Sequence, residues 1–185
     1  GSIPAAPVGT KVVYHIEAST DGNTECSPEV SYTVGEVPID YTGLALNELN
    51  GNDKFIEIYN KGKEDIHIKG ISIQKDGKDV WTAPSAILKS GEFVLLYSTD
   101  VQADHAEHPE GYFFGSGLSA KKAVKVELFD PKGGSLDCFN LVNFVKKASA
   151  SYSRVPDGTG AWYFTSATPA AKNANETADK VEGLE

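Results

Sequence analysis

The chain contains no methionine, and only two cysteines, two tryptophans and four histidines among its 185 residues. Methionine is missing even at position 1, so the sequence reads as a mature or excised segment, with Gly1–Ser2 and Leu184–Glu185 as candidate cloning remnants; no signal peptide is present, but one could have been cut away. Two cysteines with scattered histidines do not make a structural zinc site. Cys26 and Cys138 leave one candidate disulfide, which would close a loop of roughly a hundred residues and stabilise by about 4–5 kcal/mol on the loop-entropy account. The alternative is two isolated thiols. No apolar run approaches the roughly 18 residues of a membrane span. Basic residues are in deficit, 17 Lys and Arg against 26 Asp and Glu, for a net charge of -9. An acidic surface repels phosphate backbones, which argues against nucleic-acid partners. The basic groups that do cluster, Lys121, Lys122 and Lys125, and the pair Lys146 and Lys147, are small.

What is present is turn chemistry. Eighteen glycines and nine prolines punctuate short alternating apolar runs. Strands are expected near 44–49, 54–60, 65–68, 70–75, 78–82, 92–98, 111–114, 124–130, 135–142, 151–155 and 161–165. The intervening NGND, NKGK, KDGK, KSGE, DPKGG and PDGTG segments supply the residues that tolerate tight turns. This spacing predicts an antiparallel sandwich. SAKKAV (119–124) is the one modest helical candidate and reads as a turn.

Ahead of this run, KVVYHIEA (11–18) alternates strictly, with Val13, His15 and Glu17 on one face and Val12, Tyr14 and Ile16 on the other. TDGN (20–23) carries the Asp-Gly hairpin signal, and EVSYTV (29–34) is a second strand. The unit resembles the last hairpin of a fibronectin- or immunoglobulin-like module. The expected organisation is a linker and hairpin over 1–37, a β domain over 38–174 and a flexible tail over 175–185.

The β domain carries a set of motifs in order: LNELNGNDKFIEIYN (46–60), IHIKGISIQ (66–74), VWTAP (80–84), LKSGEFVLLY (88–97), GLSAKKAVKVELFDPKGGSLD (117–137) and SYSRVPDGTGAWYFTSATPAAKN (151–173). Together they resemble the bacterial form of the lamin tail domain. The resemblance implies an all-β fold, an immunoglobulin-like antiparallel β-sandwich with an extra N-terminal β-hairpin here. It also implies no enzymatic activity, no cofactor and an extracytoplasmic accessory role. The long acidic segment 103–111 and the NLVNF run (140–144) depart from the family's pattern.

Several groups could carry chemistry. Glu48 and Glu57 flank the first turn and would serve as an acid/base pair only if close together in environments that split their pKa values; otherwise they are solvent-facing or bonded to turn amides. Asn47, Asn50, Asn52 and Asn60 suit the holding of turns. Asn50, Asn52 and Asp53 offer too few oxygens for calcium. In DHAEHPE (104–110), His105 and His108 could take a metal adventitiously; otherwise the segment is a solvated acidic loop. Cys138 lies in an apolar strand, which makes it inert. Tyr97, Tyr112, Phe113 and Phe114 are the candidate binding aromatics, either as a sugar-stacking platform or as core and rim. Phe113 and Phe114 are consecutive and cannot both point inward.

The expected function is a non-catalytic interaction or adhesion module of a secreted or surface-anchored multidomain bacterial protein, one bead of several. Its partner would be a protein or a glycan at the cell envelope, reached by exposed aromatics or a free sheet edge. Membrane attachment would come only through a lipid anchor outside this sequence, as in a lipoprotein. A carbohydrate-binding module and an accessory domain of a hydrolase are the alternatives.

Overall fold

In the computed structural model, which describes residues 2–35, 38–144, 151–173 and 179–185, the chain divides into two compact units, Gly1–Ile39 and Asp40–Glu185. Lys146 and Lys147 lie outside the described residues.

The first unit is a hairpin in two ladders. Strand β1 (Lys11–Tyr14) pairs with β4 (Val30–Thr33), and β2 (Glu17–Thr20) pairs with β3 (Asn23–Cys26), all antiparallel. Between the ladders, the Ser27 amide donates to the Ile16 carbonyl at 2.8 Å and the Ser27 hydroxyl accepts from the Ile16 amide at 2.9 Å. The turn lies at Asp21-Gly22, with φ of 44° and 87°, the left-handed pair that a two-residue hairpin turn needs. The alternation alone predicted two strands; Asn23–Cys26, too polar to read as a strand, pairs because this turn fixes the register.

The second unit is an immunoglobulin-like β-sandwich. Its larger sheet contains β5 (Leu44–Asn50), β6 (Phe55–Asn60), β11 (Phe93–Ser98), β12 (Phe113–Phe114), β15 (Ser151–Val155) and β16 (Ala161–Thr165), in the order β12-β11-β6-β5-β15-β16. The smaller sheet runs β14-β13-β8-β9, from Ser135–Leu141, Val124–Phe129, Ser72–Lys75 and Lys78–Thr82. A two-stranded piece joins β7 (Ile66–His67) to β10 (Ile87–Leu88). Pairing is antiparallel throughout this unit except between β11 and β12. Alternation explains the core. Val94 and Leu96 of β11 point inward with Ile56 and Ile58 of β6, while Val124, Val126 and Leu128 of β13 meet them from the other sheet with Ile73, Trp81 and Phe139. Burying each such side chain stabilises by about 1.5–3 kcal/mol.

One sequence expectation holds here and one changes. SAKKAV is a turn into β13, as expected. The expected flexible tail is described from residue 179 onward and there it pairs with two strands. The Val181 amide donates to Trp162 O at 2.8 Å and the Phe164 amide to Asp179 O at 2.9 Å, both on β16; the Val142 amide, next to β14, donates to Gly183 O at 2.9 Å. Leu184 packs against the core. The tail thus covers one edge of each sheet.

Candidate functional site

The sheet's outer face carries two polar or aromatic constellations. The first lies on β11, where Phe93, Leu95 and Tyr97 alternate outward. Ser98 ends the strand and its hydroxyl accepts from the Asp100 amide at 3.1 Å, which starts a 3₁₀ segment, Thr99–His105. That segment folds back so that the His105 ring stacks on Tyr97, with centroids 3.6 Å apart and planes 14° apart. His108 stands edge-on to Tyr97 at 5.1 Å and to Phe113 at 5.4 Å, and its Nε2 pairs with the Leu95 carbonyl at 3.0 Å. Tyr112 lies against Trp81, whose indole N–H donates to Gly111 O at 2.8 Å. Leu95, Tyr97, Asp104, His105, Glu107 and His108 line an open pocket of about 350 Å³. Burial, then Asp53, pushes the Tyr97 phenol above its ordinary pKa.

Against the sequence candidates, the outcome is mixed in a specific way. Tyr97, Tyr112 and Phe113 are brought together and stay half-buried, but Phe114 is fully buried in the core and leaves the group. The reason is the alternation of β12, which turns Phe114 inward beside Ser98. His105 and His108 do come close, but as ring-packing groups. Among the described residues neither belongs to a set of three converging metal ligands. Cys26 is an exposed free thiol and Cys138 a half-buried one; burial, then Glu127, pushes the Cys138 thiol pKa up, which keeps it unreactive.

The second constellation gathers the two glutamates that the sequence singled out, and it buries them where the sequence suggested solvent or turn amides. Glu48 and Glu57 are directly paired across β5 and β6, and both are fully buried. Asp157 and Gly158, ahead of β16, and Thr168, Ala170 and Asn173, after it, lie around them. Glu57 accepts from the Asn47 side-chain amide at 2.9 Å and from the Ala170 amide at 2.6 Å. Glu48 accepts from the Thr168 amide at 3.1 Å. Asn47 reaches further, donating to Asp157 at 3.0 Å and accepting from the Gly158 amide at 2.8 Å. Burial drives both carboxyl pKa values up, Glu57 to about 8, against the hydrogen bonds that favour the anion.

A proton count gives the same sign for Glu48. Thr168 Oγ1 lies 2.8 Å from Glu48 Oε2 and 2.9 Å from Asn173 Oδ1. Asn173 is oriented by its own N–H groups, which donate to Asn47 O and Arg154 O at 3.2 and 2.9 Å. A hydroxyl has one proton, so Thr168 can satisfy Asn173 only if Glu48 is protonated and donates to Thr168. The Ser151 hydroxyl also favours the Glu48 anion but finds no partner at full hydrogen-bond geometry.

Beside this cluster Arg154 joins the two sheets. Its Nη2 donates to both carboxylate oxygens of Asp137 of β14, at 2.7 and 2.9 Å, while Nε donates to Leu46 O at 2.9 Å and Nη1 to Gly160 O at 3.0 Å; the guanidinium carbon lies 4.6 Å over the Trp162 ring. Asp137 in turn accepts from the Leu46 amide at 2.9 Å. The Asn-Glu strand and the Arg-x-Pro-Asp-Gly run are therefore two halves of one assembly.

With that clasp in view, comparison with known families gives a direct answer: the lamin tail domain family matches residues 39–142. The chain belongs to the lamin tail domain family. No curated protein matches it. The family is an immunoglobulin-like, non-enzymatic fold. The matched span ends after β14, so the strands that complete the large sheet, β15 and β16, and the residues that cover the glutamates lie beyond it. In this lamin tail domain the motif residues Asn47, Glu48, Glu57, Arg154 and Asp157 are used to close the sandwich.

Proposed function

We propose that the chain is a non-catalytic interaction module of a secreted or surface-anchored multidomain bacterial protein, and that the pocket on β11 is its contact face. One observation carries this reading: the Tyr97–His105 stack stands half-exposed at an open pocket on a rigid strand, whereas the two glutamates that could act as acid and base are committed to backbone amides beneath a covering segment. A stacked ring pair supplies flat apolar area at low entropic cost, and Asp104 and Glu107 on the rim supply acceptors for a donor-rich partner.

A protein ligand at the cell envelope is the main reading. A glycan is the second, favoured by the pairing of a ring face with rim carboxylates. His105 already covers one face of Tyr97, so a sugar would stack on the imidazole instead. Extracytoplasmic placement, as a secreted protein or lipoprotein, belongs to the same proposal.

The test is a pulldown from cell-envelope extract with the wild-type chain and with Tyr97→Ala and His105→Ala. Capture of a defined protein that both substitutions abolish supports the main reading. A glycan-array signal lost in the same variants moves the ligand to the second. Capture or glycan binding that survives both substitutions contradicts the assignment of the face.

A further inference from the structure

The N-terminal hairpin holds a group of side chains that none of the foregoing uses. His15 lies in the link between β1 and β2, and Glu17, two residues on, opens β2. The Asp21-Gly22 turn closes on Thr20 and Asn23, and the ladder then sets Glu17 directly opposite Cys26. Counting from the closing pair makes Glu17–Cys26 a non-hydrogen-bonded pair, the kind in which facing side chains come nearest. The result is one nitrogen, one oxygen and one sulfur donor, all within 4.8 Å of one another and all exposed. His15 Nε2 and Glu17 Oε1 hydrogen-bond at 3.0 Å; an ion replacing that proton at bond lengths of about 2.0–2.2 Å would need the two exposed side chains to part by only a few tenths of an ångström.

We propose that His15, Glu17 and Cys26 form a three-ligand site for a thiophilic divalent cation of the zinc class. A thiolate, an imidazole and a carboxylate match the donor preferences of zinc and do not match those of calcium or magnesium. Three protein donors fill three corners of a tetrahedron and leave the fourth for water or an outside donor. Binding converts the Cys26 thiol to a metal thiolate and releases its proton to solvent; the metal keeps its oxidation state. The ion would also fasten both strands of a hairpin that, as a two-stranded unit, is only marginally stable in water.

Cobalt(II) is the probe, titrated into the full reduced chain. The expected result is a thiolate-to-cobalt charge-transfer band that saturates at one cobalt per chain and is displaced by zinc. Cys26→Ser removes the band, Cys138→Ser leaves it unchanged, and His15→Ala and Glu17→Gln each raise the cobalt needed by on the order of tenfold. All three ligands are exposed, so the substitutions leave the fold intact, which far-UV circular dichroism checks. No band, a band that survives Cys26→Ser, a band lost with Cys138→Ser, half a cobalt per chain, or unchanged affinity in His15→Ala and Glu17→Gln would each overturn the site.

Discussion

Removing the guanidinium of Arg154 would strand Asp137 as a nearly buried carboxylate and orphan the carbonyls of Leu46 and Gly160. Loss of one partner of such a pair costs about 3–5 kcal/mol, and Arg154→Ala is expected at the low end because both groups keep some exposure. Arg154→Lys keeps the charge but cannot reach Asp137, Leu46 O and Gly160 O at once and loses the stacking on Trp162, and should recover less than half of that loss. Urea unfolding of the two variants measures both. Gly160 is equally constrained: a Cβ there would overlap the Val155 carbonyl. The turn-holding role expected of the asparagines holds for Asn50 and Asn60 but not for Asn47, which bridges Glu57 to Asp157 and Gly158 instead. Asn50 accepts from the Asn52 and Asp53 amides at 2.8 Å each, and Asn60 accepts from the Gly62 amide at 3.0 Å; both are turn clamps.

At the scale of elements, strand existence was legible and strand environment was not. The alternating runs gave nearly every strand of the sandwich, and the Asp-Gly turn was visible before its register was. β5 defeated the reading because all seven of its residues are buried, on both faces. Its outer face is covered by residues as far as 120 positions away, a distance no local pattern encodes. The segment 104–110 keeps its acidic side chains exposed, as expected of a solvated loop; what the sequence could not show is its anchor, His105 on Tyr97, a ring contact across eight positions with no periodic signal. The tail was misjudged for the same reason: its composition is polar, but it pairs through backbone groups. Uncovering those groups has a predictable effect. A chain ending at residue 178 exposes the edges of β14 and β16 and should self-associate, since open edges pair with other chains. Light scattering at matched concentration reads this; a monomer with unchanged unfolding would show the tail to be dispensable.

At the scale of the whole molecule, the lamin tail domain here is a sandwich closed by a buried acid cluster, with an open ring-lined pocket on the same sheet and a separate hairpin unit. Among the described residues no helix is long and apolar enough to cross a membrane. The central claim is that Glu48 and Glu57 are structural, and it has a thermodynamic signature. Burial raises Glu57 from 4.5 to about 8 and raises Glu48 in the same direction. Between those values the folded state holds protons that the unfolded chain has released, so stability is full below about pH 4.5 and declines as pH rises toward about 8. Lowered aspartates such as Asp76 act below their ordinary pKa of 3.8 and leave this window clear. The pair titrates as a unit, with a slope of up to about 1.4 kcal/mol per pH unit for each proton. Glu57→Gln cannot ionise, but its amide can accept from only one of Asn47 and Ala170, which costs about 1–3 kcal/mol at low pH.

The decisive measurement is the free energy of unfolding of the wild-type chain and of Glu57→Gln across that pH window. The account predicts a wild-type stability that falls with rising pH and a variant that starts lower and stays flatter. A wild-type stability that is flat or rises with pH, or a variant with the full wild-type slope, would contradict it.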